Sequence, residues 1–386
     1  MTARYSAWMF PLPSPVAKNF WTMQGPARFV AMNGLLQHIG LIRGIALAAR
    51  LVIKKATQAH ADFSSNLVLR DMLMTKSNAP PLFTCALAVL VLALAAPIAD
   101  ADSVARTLDA PVAVSPQYDT THVYVAPEDF DRFTDSLIAT FGGSKSKQGV
   151  FQVTPTPSQT ISQLVFTPVG NVSVFGFKTP IPYPFGVERT GYLVTDMDTA
   201  VRSARAHKAD VVVSIFPDPI GRDAVVSWPG GVHMQFYWHT TTPNYAPLRT
   251  VPENRVYLSP GSAGTFVREF AAFSRGRVVS DDPRAPGIEI GRPSDTYRRV
   301  RLESKFGKIT VLATDGHLPF PYGRELTGYE VADLPATLSK ATAGGVKILV
   351  EPYTAESRNA AFVEFPGGYI AEIHSAAANS PITPSK

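Results

Sequence analysis

Thiols are almost absent from this sequence. The single cysteine, Cys85, sits inside an apolar run, so the body of the chain has no disulfide framework, cysteine nucleophile or thiolate metal ligand. Charge is scarce as well, at 17% against 45% hydrophobic residues, a balance that excludes a disordered chain or a coiled coil. Nor does the body carry a surplus of one sign. The formal net charge of +5 belongs to residues 1–71, with eight Lys and Arg against two acids; residues 102–386 hold 27 against 28. No nucleic-acid partner is expected for such a body. What the sequence has in quantity is turn formers, 33 prolines and 27 glycines, as expected of a globular protein rich in strands and tight connections.

The N-terminal hundred residues read as addressing. From Met72 there is one cation, Lys76, then an uncharged apolar run through Ile98, then Ala99-Asp100-Ala101. This is the three-part layout of a secretory signal peptide, placed at 72–101. The run is about long enough to cross a bilayer, but the Ala-x-Ala site and the polar residues after it favour cleavage. A periplasmic or secreted protein is expected, with no stable membrane span after cleavage. Residues 1–71 form an N-terminal extension ahead of that signal. Translation from Met72 or Met74 explains them; the alternative is a membrane-surface helix in the amphipathic stretch 34–55.

The body is an internal duplication. Pro184-Phe-Gly-Val-Glu-Arg-Thr-Gly-Tyr192 matches Pro321-Tyr-Gly-Arg-Glu-Leu-Thr-Gly-Tyr329, six identities in nine at an offset of 137. At the same offset Ala224-Val-Val-Ser-Trp-Pro-Gly-Gly231 matches Ala361-Phe-Val-Glu-Phe-Pro-Gly-Gly368. A fainter pair, His122-Val-Tyr-Val-Ala-Pro127 and Arg255-Val-Tyr-Leu-Ser-Pro260, is offset by 133. The halves are therefore 116–247 and 248–377, followed by a tail, 378–386. Each half splits again. The first quarter has a strand at 121–126, a helix over 128–141, and strands at 161–167 and 171–177. The second has a strand at 191–195, a helix over 198–208, and strands at 211–215, 223–228 and 232–238. The expected fold is α+β, with four βαβββ units.

That order, with a Pro-Gly-Gly turn before the last strand, resembles the vicinal oxygen chelate superfamily of glyoxalases, extradiol dioxygenases, and fosfomycin and bleomycin resistance proteins. The resemblance implies that the units pair into two half-open barrels, each a cup that usually holds one divalent metal (Zn, Fe, Mn or Ni). It places the first ligand on His122 and, in the second half, on Arg255. The ligand on the opening strand of the next unit falls on Tyr192 and Tyr329, and the last on Gln235 and Glu372. The remaining position falls near Val174 and Leu312, which have no donor atoms. The sets are His/Tyr/Gln and Arg/Tyr/Glu rather than the carboxylate-rich or His/His/Glu sets of the family's metal enzymes.

Strand alternation adds candidates. In 232–239 the apolar Val232, Met234, Phe236 and Trp238 should pack on helices, turning His233, Gln235, Tyr237 and His239 into the cup. In 369–374, Ile370, Glu372 and His374 should face inward. The expected metal group is His122, His233 and Gln235, with His239; the bland alternative is that the histidines are structural residues near a rim. The doubled Glu-x-Thr-Gly-Tyr element offers Glu188 and Tyr192 as acid/base and oxyanion donor, with Tyr329 as a counterpart, or else a loop tie and a buried hydrogen bond. Arg222 and Arg358 could grip an anionic substrate. Two functions are expected from these residues. One is an exported lyase, isomerase or dioxygenase acting on a small oxygenated molecule with a metal in the first cup. The other is a metal-free protein whose two cups sequester a small aromatic ligand; the second half is expected to be a degenerate partner that completes the packing.

Overall fold

The structure, a computed structural model, describes residues 111–187, 189–316, 318 and 324–377. The extension at 1–71, the signal peptide at 72–101, the tail at 378–386 and Glu188 lie outside the described residues. The first unit runs β1 (Thr121–Tyr124), α1 (Phe130–Phe141), the short β2 (Ser144–Lys145) and β3 (Gly149–Phe151), β4 (Thr160–Thr167) and β5 (Gly170–Phe177). The second is β6 (Thr190–Leu193), α2 (Met197–Ala206), β7 (Asp210–Pro217), β8 (Gly221–Trp228) and β9 (Val232–His239). The third is β10 (Glu253–Leu258), α3 (Pro260–Ser274), β11 (Arg277–Pro286), β12 (Thr296–Ser304) and β13 (Gly307–Ala313). The fourth is β14 (Glu325–Glu330), α4 (Leu334–Ala343), β15 (Lys347–Ala355), β16 (Arg358–Glu364) and β17 (Ile370–Ala376). The duplication extends to helix caps: Asp196 accepts from Thr199 N at 2.8 Å to start α2, and Asp333 from Ala336 N at 2.9 Å to start α4.

The strands form two mixed sheets, β2-β4-β5-β1-β6-β9-β8-β7 with β3 beside β4, and β11-β12-β13-β10-β14-β17-β16-β15. In each, the opening strand of a unit lies parallel to that unit's last strand, and the two units meet where opening strands pair antiparallel, β1 with β6 and β10 with β14. The final hairpins turn at Gly230-Gly231 and Gly367-Gly368, where φ of 80–94° is open to glycine and costly for other residues. Each sheet curls into a cup, so four βαβββ units make two half-open barrels.

One face of every strand lines a cup and the other meets the helices, and the helix-side cores are shared between halves. Phe266, Phe270 and Phe273 of α3 pack with Trp228, Met234 and Phe236 of the first sheet; the Trp228–Phe270 centroids are 5.2 Å apart, and Phe236 stacks on Phe273 at 5.3 Å. Reciprocally, Phe130, Phe133 and Leu137 of α1 pack with Val363, Phe365 and Ile373 of the second sheet. Neither half can bury its helix alone.

This sharing has a measurable consequence. Phe270→Ala should cost about 3–5 kcal/mol, withdrawn from both halves at once. In a urea titration of this variant, tryptophan fluorescence (Trp228 and Trp238 are both in the first sheet) and far-ultraviolet circular dichroism should keep coincident midpoints. Separate transitions would contradict the shared cores.

Candidate functional site: a hollow first cup and a filled second cup

The first cup encloses a cavity of about 350 Å³. β1 supplies His122 and Tyr124; β9 supplies Gln235, Tyr237 and His239; β5 supplies Ser173 and Phe175. Alternation accounts for this set, because Val123, Val174, Met234 and Phe236 point the other way into the helix-side cores. His122 is 2% exposed, with its ring edge-on to Phe175 at 5.6 Å. His122 and Gln235 thus line one concavity. At the position facing His122 across β1 and β5 stands Ser173 rather than Val174.

The second ligand position is where the structure departs from the sequence reading. On β6 the residue turned toward the cup is Gly191, paired with Gln235, and a Cβ built on it would lie 2.5 Å from His122 Nε2. Tyr192 points the opposite way, 2% exposed, its ring 4.7 Å from Phe306 in the core shared by the halves. The second half repeats this. Gly328 faces the cup, where a Cβ would meet Glu372 Oε2 at 3.3 Å and Arg255 Cδ at 3.5 Å, while Tyr329 is buried with its hydroxyl 3.0 Å from that of Tyr369. Tyr192 and Tyr329 are therefore packing residues rather than cup residues, and burial pushes both phenols above their ordinary pKa. Glu325 behaves alike: its Oε1 accepts from Asn254 Nδ2 at 2.8 Å and Thr190 Oγ1 at 3.2 Å on the seam between the sheets.

Other expected residues are dispersed. His233 shares the face of Gln235 but lies beyond the first cup, in a separate groove of about 450 Å³, where Nε2 is 2.7 Å from the Tyr183 hydroxyl and Nδ1 3.0 Å from Gly231 O. Arg222 is on the outer face, paired with Asp198 of α2 at 2.9 Å. Tyr237 keeps its place in the cup, with its hydroxyl donating to Asp119 O at 2.9 Å. His239 stands beside it, and burial lowers its pKa against the pull of Asp119 and Asp218.

The second cup is filled by its own side chains. Arg255, at the place of His122, is 1% exposed, and its Nε lies 2.7 Å from Glu372 Oε2, at the place of Gln235. Arg358 reaches Glu253 Oε2 at 2.6 Å and Glu372 Oε1 at 3.2 Å; His374 sits 3.6 Å from Glu372, its pKa lowered by burial. Tyr257, Leu312, Leu326 and Phe362 close the remaining space.

These donor sets do not fit a divalent metal. At the expected ligand positions the first cup offers one imidazole and one amide with glycine between them, and the second offers a guanidinium where a cation would sit. Among the described residues no group of three His, Cys, Asp or Glu could hold a metal ion. The sequence reading missed a different feature, three carboxyls in the first cup. Asp223 on β8, Asp119 before β1 and Asp218 before β8 all line it, and Asp223 is 5% exposed with Oδ1 lacking any hydrogen-bond partner. The available signal was an acid inside an otherwise apolar strand, in the inward phase of Val225.

No protein-family model matches the chain, and no curated protein matches it. Among solved structures it is similar to a variant of 4-hydroxymandelate synthase from Streptomyces coelicolor, at 14% identity over 69% of this chain and 95% of that chain, with a TM-score of 0.47. It is similar to a variant of homoprotocatechuate 2,3-dioxygenase from Brevibacterium fuscum, at 13% identity over 71% and 76%, with a TM-score of 0.44. A third is the Mn(II)-bound glyoxalase from Novosphingobium aromaticivorans, at 13% identity over 68% and 83%, with a TM-score of 0.42. In this chain four βαβββ units pair into two cups.

The filled cup generates a stability prediction. Removing one partner of a buried ion network leaves an uncompensated charge, so Arg255→Ala should cost about 3–5 kcal/mol in chemical denaturation and Arg255→Met no less than about half of that. Burial works to raise the Glu253 pKa, but Arg358 and Arg255 outweigh it and hold the carboxyl well below its ordinary 4.5. Its contribution is therefore complete above about pH 4.5 and fades as pH falls through the lower folded-state value. Glu253→Gln should flatten the loss of stability between about pH 5 and pH 3; an unchanged slope would contradict the assignment.

Proposed function

We propose that the first cup is a metal-independent binding site for a small aromatic molecule, and that the second cup is a packing partner that takes no ligand. The observation that carries this reading is Gly191, which places no donor between His122 and Gln235 and where a Cβ would lie 2.5 Å from His122 Nε2. The cavity of about 350 Å³ falls in the size range of small-molecule pockets. Its walls are suited to a ring: Tyr124 and Phe175 lie 5.3 Å apart, Phe185 adds a third ring to the lining, and Phe151 stands exposed at the mouth. Gln235, Ser173 and His122 supply polar groups that orient what enters. Isomerase, lyase or dioxygenase chemistry through a cup metal finds no matching donor set here. Export is part of the same proposal, supported by the signal-like residues 72–101.

Metal content and occupancy test the site together. After equilibration with Zn, Mn, Fe or Ni, the purified chain should retain far less than one ion per chain, unchanged by His122→Ala. One ion per chain that His122→Ala abolishes would overturn the proposal. Monocyclic aromatic compounds screened by ligand-observed NMR should give binders that Ser162→Trp, opposite Phe175 on the cup wall, eliminates.

For export, N-terminal sequencing of the protein recovered from its own cells should place the mature start near residue 102. A retained start within 1–71 would contradict it.

A further inference from the structure

The carboxyls of the first cup lack counter-charge. Asp119 is satisfied by neutral donors, Ser173 Oγ at 2.5 Å and the Tyr245 hydroxyl at 3.0 Å; Asp218 accepts from Ile220 N at 2.8 Å. Asp223, paired in register with Phe216 on β7 and Tyr237 on β9, has one oxygen sealed from solvent without a partner. Among the described residues no Lys or Arg forms an ion pair with these three, and the cation nearest the cavity, Lys147, is an exposed residue at its mouth. The carboxyls are spread along the wall and are not grouped to hold a metal ion. In the second cup the place of Asp223 is taken by Ala360, buried in an apolar cluster, and the cup's acids have Arg255 and Arg358 as partners. One cup carries its cations; the other does not.

We infer that the ligand of the first cup is an aromatic cation, a protonated or quaternary amine attached to a ring, whose charge is received by Asp223 with Asp119 and Asp218. The inference rests on the reading of the first cup as a ligand site. The rings of Tyr124 and Phe175 would hold the aromatic part, and the same π faces favour a cation at their edge of the cavity. Ligand charge supplies what the wall lacks, so binding does not bury an unpaired carboxylate. Burial, then Asp218 and Asp119, pushes Asp223 well above the usual carboxylate range, and a cation beside it would favour its ionised form. Binding should therefore strengthen as pH rises. The other groups facing Asp223 are Asp119, Asp218, Tyr237, Tyr245, His122, His239 and Lys147, of which the His239 imidazole would add to the rise by losing its own charge.

The test uses benzylammonium and benzyl alcohol, a cation and a neutral probe of one shape, titrated into the purified full chain by ligand-observed NMR. Benzylammonium should bind about tenfold more tightly than the alcohol. Asp223→Asn should weaken benzylammonium by about tenfold and leave the alcohol within about twofold, the scale of one charge-assisted contact. Between about pH 5 and pH 8 benzylammonium should bind more tightly to the wild type and to His239→Gln, with the rise largely lost in Asp223→Asn. If Asp223→Asn does not fold by circular dichroism, Asp119→Asn takes its place, with the same direction expected. Equal binding of both probes, unaffected by Asp223→Asn but abolished by Ser162→Trp, would overturn the cation and keep the cup as a site. Failure of both probes to bind, or binding that survives Ser162→Trp, would instead count against the cup reading itself.

Discussion

The seam between the two curled sheets governs the rest of the molecule. There Glu325 accepts from Asn254 and Thr190, Tyr192 lies against Phe306, and Tyr329 meets Tyr369, all of them buried. A buried polar group is costly unless partnered, so these positions are tightly constrained. A strand alternates with a period of two, so committing Thr190 and Tyr192 to the seam turns residue 191 toward the cup. At that point β6 runs so close to His122 that a Cβ on residue 191 would lie 2.5 Å from Nε2, whereas at Gly328 the nearest atom, Glu372 Oε2, would be 3.3 Å away. The glycine facing the cup at residue 191 thus follows from how the sheets are joined.

From this common scaffold the two cups solve one electrostatic problem in opposite ways. A concavity walled by strands buries whatever polar groups face it, and buried charge must be balanced. The second cup balances itself: Arg255 and Arg358 neutralise Glu253 and Glu372, and aromatic and aliphatic side chains take up the space left. The first cup has acids at Asp119, Asp218 and Asp223 and space instead of guanidinium groups. Exchanging Arg255 for His122, and Arg358 for Gly221, removes both volume and positive charge. These two exchanges are part of what separates a filled cup from a hollow one.

The sequence made the architecture legible because duplication repeats its own evidence. The 137-residue offset located the units, and the alternation in Val232–His239 correctly divided Met234 and Phe236 from Gln235 and Tyr237. Errors arose where phase or depth could not be read. β6 spans four residues, Thr190–Leu193, too few to show which face is inward, and the search for a donor atom drew attention to Tyr192 over a glycine. His233 has the right phase, but the strand outruns the cup, which only three-dimensional curvature reveals. Arg222 sits at the start of β8 with its side chain on the outer face, although a loop position had been expected. Asp223 went unnoticed because pattern reading treats a lone acid in an apolar strand as noise, when burial without a partner makes it informative.

A shared core also limits how the cups can diverge. Because α3 packs on the first sheet and α1 on the second, a change in the curvature of one sheet is felt by the helix of the other half. Filling the second cup with an ion network and aromatic side chains therefore gives the first cup a rigid backing. On this view the second half is no vestige. Its own cup is closed by an ion network and apolar side chains, and its helix α3 packs on the sheet that walls the hollow cup.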